Sequence, residues 1–167
     1  MSEEGQARQL LSFQVDGEDC AVDLAQVREI VRYESATRVP RVSECVRGVV
    51  NLRGNVVPVV DLAVALGRVA TPVTAQTCLL VVETPIGGER TVVGLMVGSV
   101  SQVLELEQAD VEPPPSFGTK VPADVLLGVA RVAERFVFLV DLERLLGSQS
   151  LLASDAAAGL AAVGEGA

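Results

Sequence analysis

Two stretches of this chain, 80 residues apart, share one sequence pattern. Residues 48–67 read GVVNLRGNVVPVVDLAVALG and residues 128–147 read GVARVAERFVFLVDLERLLG, with 8 of 20 positions identical and no gap. A weaker match at an offset of 73 residues aligns Ala21-Val22, Val27, Ile30 and Pro40 with Gly94-Leu95, Val100, Val103 and Pro113. Self-similarity of this kind indicates a duplicated structural unit. We therefore predict that both halves of the chain contain the same order of strands, connector and short helix.

The duplicated unit is predicted to be β-rich, because valine occupies 31 positions and favours the pleated surface of a sheet. The predicted strands cover residues 8–15, 18–22, 46–52, 56–60, 77–83, 91–97, 126–132 and 136–140, and residues 100–106 are predicted to continue as a strand or a short helix. Three aspartates, Asp23, Asp61 and Asp141, are placed to cap short helices over 24–28, 62–66 and 142–146. The apolar spacing of Val27, Ile30 and Val31 favours the first of these helices. Residues 107–124 contain three consecutive prolines and are predicted to form a long surface loop.

The predicted fold class is mainly β, with two small barrels that pack together. The two repeats cover about residues 8–70 and 76–147, and a unit of about 70 residues has only a marginal core of its own. The halves are therefore expected to share an apolar seam, and barrels are favoured because closure removes exposed strand edges. Residues 148–167 are rich in alanine and glycine, and we expect this tail to be partly disordered.

Composition excludes several functional classes. The net charge of −9 argues against duplex nucleic acid and anionic lipid as main partners, and no apolar stretch is long enough to span a membrane. The chain has no histidine, which removes histidine-based nucleophilic sites and histidine-ligated metals. Its three cysteines fit neither a disulfide framework nor a metal knuckle, which favours buried thiols in a reducing compartment. The sequence thus indicates a binding protein without cofactor or metal, rather than an enzyme.

The repeat also separates fold requirements from candidate functional residues. Asp61 matches Asp141 and Gly48 matches Gly128, so these residues are predicted to serve the fold, as helix caps and backbone requirements. Arg53 and Gly54 instead match Ala133 and Glu134. The fold therefore does not need an arginine at position 53, which leaves that residue available for function.

Several segments resemble the CheW-like adaptors of bacterial chemosensory arrays. The resemblance rests on residues 13–18 (FQVDGE), 22–30 (VDLAQVREI), 47–62 (RGVVNLRGNVVPVVDL), 93–97 (VGLMV) and 128–142, and it covers about residues 8–147. It implies a single CheW-like domain of two interlocked five-stranded SH3-like barrels with a C-terminal helix. It also implies a non-enzymatic cytoplasmic adaptor, recruited to membrane-associated arrays. Its partners would be the cytoplasmic tip of methyl-accepting chemoreceptors and the regulatory domain of a CheA-type histidine kinase.

A receptor tip is a helical hairpin, and a helix docks through apolar anchors in a cleft with a polar rim. The partner-binding candidates are Arg53, Glu29, Val27, Ile30, Leu52 and Gly54. The three apolar residues among them either line such a cleft or belong to the core. Glu29 either contacts a partner cation or is a solvated surface charge. Arg53 at the hairpin tip either contacts a partner or clamps the two barrels in their relative position.

Three other functions stay open at this stage. One is a CheW-like scaffold in a parallel chemosensory pathway for motility or development. The others are a ligand-binding or catalytic barrel, which the sparse titratable residues disfavour, and a general SH3-like peptide binder, which the 3% aromatic content disfavours. Weak self-association in arrays is equally open.

Overall fold

Eleven strands and two short α-helices form the described part of this computed structural model, residues 7–40, 42–114 and 122–148. The strands are β1 (Arg8–Val15), β2 (Glu18–Asp23), β3 (Val27–Arg32), β4 (Val46–Leu52), β5 (Asn55–Asp61), β6 (Cys78–Ile86), β7 (Glu89–Val97), β8 (Ser99–Leu106), β9 (Val111–Glu112), β10 (Leu126–Val132) and β11 (Arg135–Val140). The helices are α1 (Leu62–Ala65) and α2 (Leu142–Ser148). The fold is mainly β, as predicted. The eight predicted strands are present, and residues 100–106 form a strand rather than a short helix.

The predicted helix after Asp23 is wrong beyond its first turn. Asp23 caps a 3-10 turn, Leu24–Gln26, by accepting a hydrogen bond from the Ala25 amide at 3.0 Å. The chain then continues as β3, which pairs antiparallel with β6. Pairing with β6 favours a strand here, because the β-branched residues of this segment suit a sheet. The helical spacing of its apolar residues does not take this pairing into account.

The predicted long loop over 107–124 also contains regular structure. Gln108–Asp110 and Ala123–Val125 form 3-10 turns, and β9 pairs antiparallel with β10. Residues 115–121 and the expected tail beyond residue 148 lie outside the described residues. The prolines at 113 and 114 directly follow β9, so they end this short strand rather than exclude it.

The strands form two curled sheets, consistent with two SH3-like barrels. The six-stranded sheet has the order β8-β1-β2-β11-β10-β9, and the five-stranded sheet has the order β3-β6-β7-β5-β4. Each sheet therefore takes a hairpin from one half of the chain and its remaining strands from the other half. The sheets do not follow the two sequence repeats one to one, because the hairpins β1–β2 and β6–β7 are exchanged.

The strand register follows both repeat offsets. In the six-stranded sheet, Leu139 of β11 pairs in parallel with Ala21 of β2. In the five-stranded sheet, Val59 of β5 pairs in parallel with Gly94 of β7. Residues 59 and 139 differ by 80, and residues 21 and 94 differ by 73, which are the two offsets of the sequence matches. The two sheets are thus equivalent structures with exchanged hairpins.

Three apolar cores result from this exchange. The core that joins the sheets, here called the seam, includes Phe13, Val60, Leu80, Leu95, Phe138 and Leu142. The six-stranded sheet has a smaller core of its own that includes Leu10, Ala21, Leu104 and Leu139. The five-stranded sheet has an equivalent core of Tyr33, Val59, Leu79 and Met96. Neighbouring residues of one strand alternate between the seam and a barrel core, as strand geometry requires. The predicted shared apolar seam is therefore present.

In both barrels, the segment that follows the end strand passes close to the backbone of a glycine on the strand at the other end of the sheet. The amide and carbonyl of Thr37 exchange hydrogen bonds with Val49 of β4 at 2.9 and 2.8 Å. A Cβ atom at Gly48 would lie 2.2 Å from the Thr37 carbonyl oxygen, and Gly48 has a φ of 144°. At the matching position, a Cβ on Gly128 would lie 2.8 Å from the Glu112 carbonyl oxygen of β9. The predicted backbone role of both glycines is confirmed, and its cause is steric.

Replacing Gly48 with alanine should strongly destabilise the protein. The new Cβ would clash with the Thr37 backbone, and an alanine at this φ is strained, so we expect a loss of about 3 kcal/mol in the free energy of unfolding. Gly147→Ala is the matched control, because a Cβ there has open space. Urea unfolding of both variants tests this expectation. Equal midpoints for Gly48→Ala and Gly147→Ala would contradict it.

Thiol burial differs among the three cysteines. Cys20 and Cys45 are buried, and Cys78 is partly exposed. Burial raises the pKa of the Cys20 thiol to about 12, with a further contribution from Glu18 and Asp19. Burial also raises the pKa of Cys45. Because the thiolate is the reactive form, both buried thiols are inert at neutral pH.

A thiol reagent at pH 8 should therefore modify Cys78 first in the folded protein, and all three cysteines only after unfolding. Cys78→Ser should abolish the fast phase of labelling. Fast labelling that survives in Cys78→Ser would show that the buried thiols are accessible.

The raised pKa of Cys20 also makes stability depend on pH. The contribution of the neutral thiol to the free energy of unfolding is present below pH 9 and is lost as the pH rises from about 9 towards 12.

Candidate functional site

The turn between β4 and β5 contains Arg53, which the matching turn of the other repeat replaces with an alanine. Arg53 and Gly54 have φ angles of 54° and 85°, which is the left-handed geometry of a two-residue hairpin turn. Ala133 and Glu134 form the matching turn with φ angles of 52° and 67°. An alanine therefore adopts the same conformation in the other copy. Position 53 tolerates residues other than arginine, so the backbone does not explain the side chain.

Arg53 forms a bidentate ion pair with Glu29 of β3. The two terminal nitrogens of the guanidinium donate to the two carboxylate oxygens at 2.8 and 2.7 Å. The Arg53 side chain is 77% exposed and that of Glu29 is 24% exposed. The hydrogen bond to Glu29 raises the pKa of Arg53, and the negative charge of Glu29 adds to this effect. The paired N–H groups of a guanidinium match both oxygens of a carboxylate, a geometry that the single ammonium group of a lysine does not offer.

This ion pair crosses the gap between the two ends of the five-stranded sheet. Glu29 lies on β3 at one end of the strand order, and Arg53 lies next to β4 at the other end. Further along the same gap, the backbone pair of Thr37 and Val49 closes the barrel. The hydrogen bonds of Arg53 thus stay within one sheet. The described contacts of Arg53 therefore do not clamp the two sheets together.

A cavity of about 600 Å³ opens beneath the ion pair. We call it the five-stranded mouth; its walls include Glu29, Leu52, Arg53, Val57, Val81 and Val92. Val57 and Val81 are buried at the base of this cavity, and Leu52 is partly exposed. The structure therefore brings together three predicted site residues, Glu29, Leu52 and Arg53, and places Gly54 beside them.

The other two predicted site residues, Val27 and Ile30, do not line this mouth. Val27 is partly buried against the seam core. Ile30 pairs with Leu80 of the seam and is 45% exposed. Cross-strand partners point to the same face of a sheet, so Ile30 extends the seam towards solvent at the end of the five-stranded sheet.

Sequence analysis missed the matching position on the other sheet. Val103 of β8 pairs with Leu11 of the seam and is 48% exposed. Ile30 and Val103 are aligned by the 73-residue offset, and both β3 and β8 lie at one end of their strand order. The weaker repeat was the signal that could have identified Val103. The seam thus reaches solvent through an equivalent aliphatic side chain on each sheet.

Asp61 does more than the helix cap that was predicted for it. The carboxylate is fully buried and accepts the predicted cap bond from the Ala63 amide at 3.1 Å. It also accepts hydrogen bonds from the Thr71 hydroxyl at 2.7 Å and the Thr71 amide at 2.9 Å. Arg47 donates to it at 3.2 Å. Asp61 therefore fixes the connector that leads into the second half of the chain, and its role is structural.

The described residues contain no group of three or more histidine, cysteine, aspartate or glutamate side chains placed to hold a metal ion. None of the helices described has the length and apolarity needed to cross a bilayer.

Comparisons with known proteins agree with the resemblance noted in the sequence. The CheW-like domain family model matches residues 9–150. Chemotaxis protein CheW of Klebsiella aerogenes is 33% identical over 148 residues, which cover 89% of this chain and 87% of that protein. Protein PilI of Pseudomonas aeruginosa is 33% identical over 73 residues, 44% of this chain and 41% of that protein. The crystal structure of scaffolding protein TtCheW from Thermoanaerobacter tengcongensis superposes with a TM-score of 0.74 at 26% identity, covering 87% of this chain and 91% of that one.

The two capping aspartates should differ in their effect on stability. Asp61→Ala removes four hydrogen bonds from a buried site and leaves Arg47 without this partner, so we expect a loss of about 3 kcal/mol. Asp141→Ala is the matched control; Asp141 caps α2 by accepting from the Arg144 amide at 3.1 Å, and its loss should cost about 1 kcal/mol. Denaturant unfolding measures both values. A smaller loss for Asp61→Ala than for Asp141→Ala would contradict this account.

Proposed function

Because the chain belongs to the CheW-like domain family, we propose that it is a non-enzymatic adaptor that couples methyl-accepting chemoreceptors to a CheA-type histidine kinase. In this proposal the chain is cytoplasmic and is recruited to membrane-associated receptor arrays. It needs no cofactor, because its task is to hold two larger proteins in a fixed relation. One barrel pairs with the regulatory domain of the kinase, and the groove between the barrels receives the helical hairpin of the receptor.

The observation that carries this proposal is the matched exposure of Ile30 and Val103. Each side chain extends the seam core to solvent from the end of its own sheet. The partly buried Val27 and Val100 pack against the same seam core. Each sheet thus presents aliphatic side chains near its end strand, and an amphipathic helix docks its apolar face on anchors of this kind.

Charged residues on the same strand suit the polar rim of a helix-binding site. Arg28 follows Val27 on β3 and forms a 3.5 Å ion pair with Glu83, and the Arg28 side chain is exposed. Exposed charges at a rim add little affinity but set the orientation of a partner and the rate of its association. Glu29 of β3 and Arg53 of the β4–β5 turn are part of this proposal as polar contacts.

A parallel chemosensory pathway is the second candidate, because one similar protein, Protein PilI, does not carry the name of a chemotaxis protein. Both candidates use the same scaffold and the same kind of surface. Affinity purification of the tagged chain from its own cells distinguishes them, because the kinase that co-purifies identifies the pathway.

The coupling function is tested by replacing one exposed anchor. Ile30→Ser should lower the affinity for a chemoreceptor cytoplasmic fragment by about tenfold, because an apolar anchor is replaced by a polar group. It should also abolish receptor control of kinase autophosphorylation. Val73→Ser is the matched control, since Val73 is 51% exposed and lies on the connector between α1 and β6 rather than on β3 or β8. The proposal fails if wild-type protein does not bind receptor fragment or kinase, or if Ile30→Ser couples them as well as Val73→Ser does.

A further inference from the structure

Each half of the chain lacks a complete sheet of its own. The first half contributes β1 to β5, and the second half contributes β6 to β11. Within the first half, the described ladders join β1 with β2 and β4 with β5, but they do not join these hairpins to each other or to β3. Within the second half, ladders join β6 with β7, and β10 with both β9 and β11, while β8 pairs with neither group.

The pairings that each half lacks are supplied by the other half. The hairpin β1–β2 lies between β8 and β11 in the six-stranded sheet, and the hairpin β6–β7 lies between β3 and β5 in the five-stranded sheet. Four ladders therefore cross from one half to the other: β1–β8, β2–β11, β3–β6 and β5–β7. An isolated two-stranded hairpin is at best marginally stable in water, so neither half is expected to keep its strands in place by itself.

The apolar cores depend on both halves in the same way. The seam combines Phe13 and Val60 of the first half with Leu80 and Leu95 of the second, and these four side chains are fully buried. The smaller cores of the two sheets also contain residues from both halves. Without its partner, either half would expose such side chains to water, which opposes folding.

The covalent link between the halves lies outside both sheets. Residues 66–77 connect α1 to β6 and form no strand. Within this connector, Val69 is 65% exposed and Ala70 is also exposed. The peptide bond between these two residues therefore joins no ladder and lies between side chains that are not part of a core.

Polar anchors hold the connector on both sides of this peptide bond. Arg68 forms an ion pair with Asp16 of the β1–β2 turn at 2.9 Å. Thr71 donates hydrogen bonds to Asp61, from its amide at 2.9 Å and from its hydroxyl at 2.7 Å. Opening the chain between the two anchors leaves both of them in place.

We propose that the chain consists of two mutually dependent halves, and that each half is the specific folding partner of the other. The assembled state persists when the connector is cut, because four ladders and the seam hold the halves together without it. Neither half folds alone. This inference goes beyond the adaptor function and does not depend on it. It adds that Ile30 and Val103, which come from different halves, are held in place only in the assembled pair.

A protease recognition site inserted between Val69 and Ala70 tests the inference in the full chain. The folded protein is cut, and uncut protein of the same sequence is the matched control. In size-exclusion chromatography with light scattering, we expect the two fragments to elute together with the mass of one chain and to separate only in denaturant. After the denaturant is removed, the mixed fragments should regain the circular dichroism spectrum of the uncut protein.

Unfolding of the cut protein should become bimolecular. A short flexible linker holds its two ends at an effective concentration of about 1 mM, so cutting should lower the ratio of folded to unfolded molecules about 100-fold at about 10 μM protein. The urea midpoint of the cut protein should rise with protein concentration, whereas that of the uncut protein should not. The cut protein should also unfold in one transition, because neither fragment keeps a core after dissociation.

Two results would overturn the inference. Fragments that separate after cutting, without denaturant, would show that the connector is needed to hold the halves together. Two unfolding transitions that do not depend on protein concentration would show that each half folds by itself. Should the insertion impair folding before the cut, the same site placed between Val73 and Thr74, which are also exposed, takes its place. None of these measurements involves a receptor or a kinase, so their failure leaves the adaptor function intact.

Discussion

Strand pairings between the two halves hold this protein together: the antiparallel pairs β1–β8 and β3–β6, and two shorter parallel pairs. Asp19–Ala21 pair with Val137–Leu139, and Gly94–Met96 pair with Val59–Asp61. Each pairing attaches a hairpin from one half to the strands of the other half. Neither half can complete a sheet with its own strands, so the seam core forms only when both halves are in place. A scaffold built in this way keeps its two barrels in a fixed relation, which is the property that a coupling protein requires.

Duplication with exchange also explains how one chain offers more than one kind of surface. The fold positions equivalent side chains on both sheets, and substitution then makes the two copies different. Ile30 and Val103 stay apolar in both copies and together extend the seam to solvent. The matched hairpin turns have diverged instead: Arg53 pairs with Glu29 in one copy, and Ala133 occupies the matching position in the other. The two barrels therefore differ in their side chains although their strand register matches.

Much of the local structure could be predicted from the sequence, because its causes are local. Apolar patterning and turn residues predicted the strands other than β3 and β9, with β8 as one of two alternatives, and Asp61 and Asp141 predicted the helix starts. The prediction of a helix after Asp23 was wrong. The apolar spacing of this segment fits one helical turn as well as an edge strand, and pairing with β6 decides between the two. Likewise, the prolines after β9 concealed a two-residue strand that exists because it lies against β10.

The sequence by itself determined the β-rich class, the duplication with its two offsets, the caps and turns, and the choice of Arg53 as a residue the fold does not need. These follow from contacts between near neighbours and from comparison of the chain with itself. The tertiary structure alone decided that the hairpins are exchanged, that Glu29 is the partner of Arg53, and that Val27 and Ile30 lie on the opposite side of β3 from them. Those outcomes depend on which strands meet across the sheets, and residues 24 positions apart along the chain carry no local signal of being hydrogen-bonded.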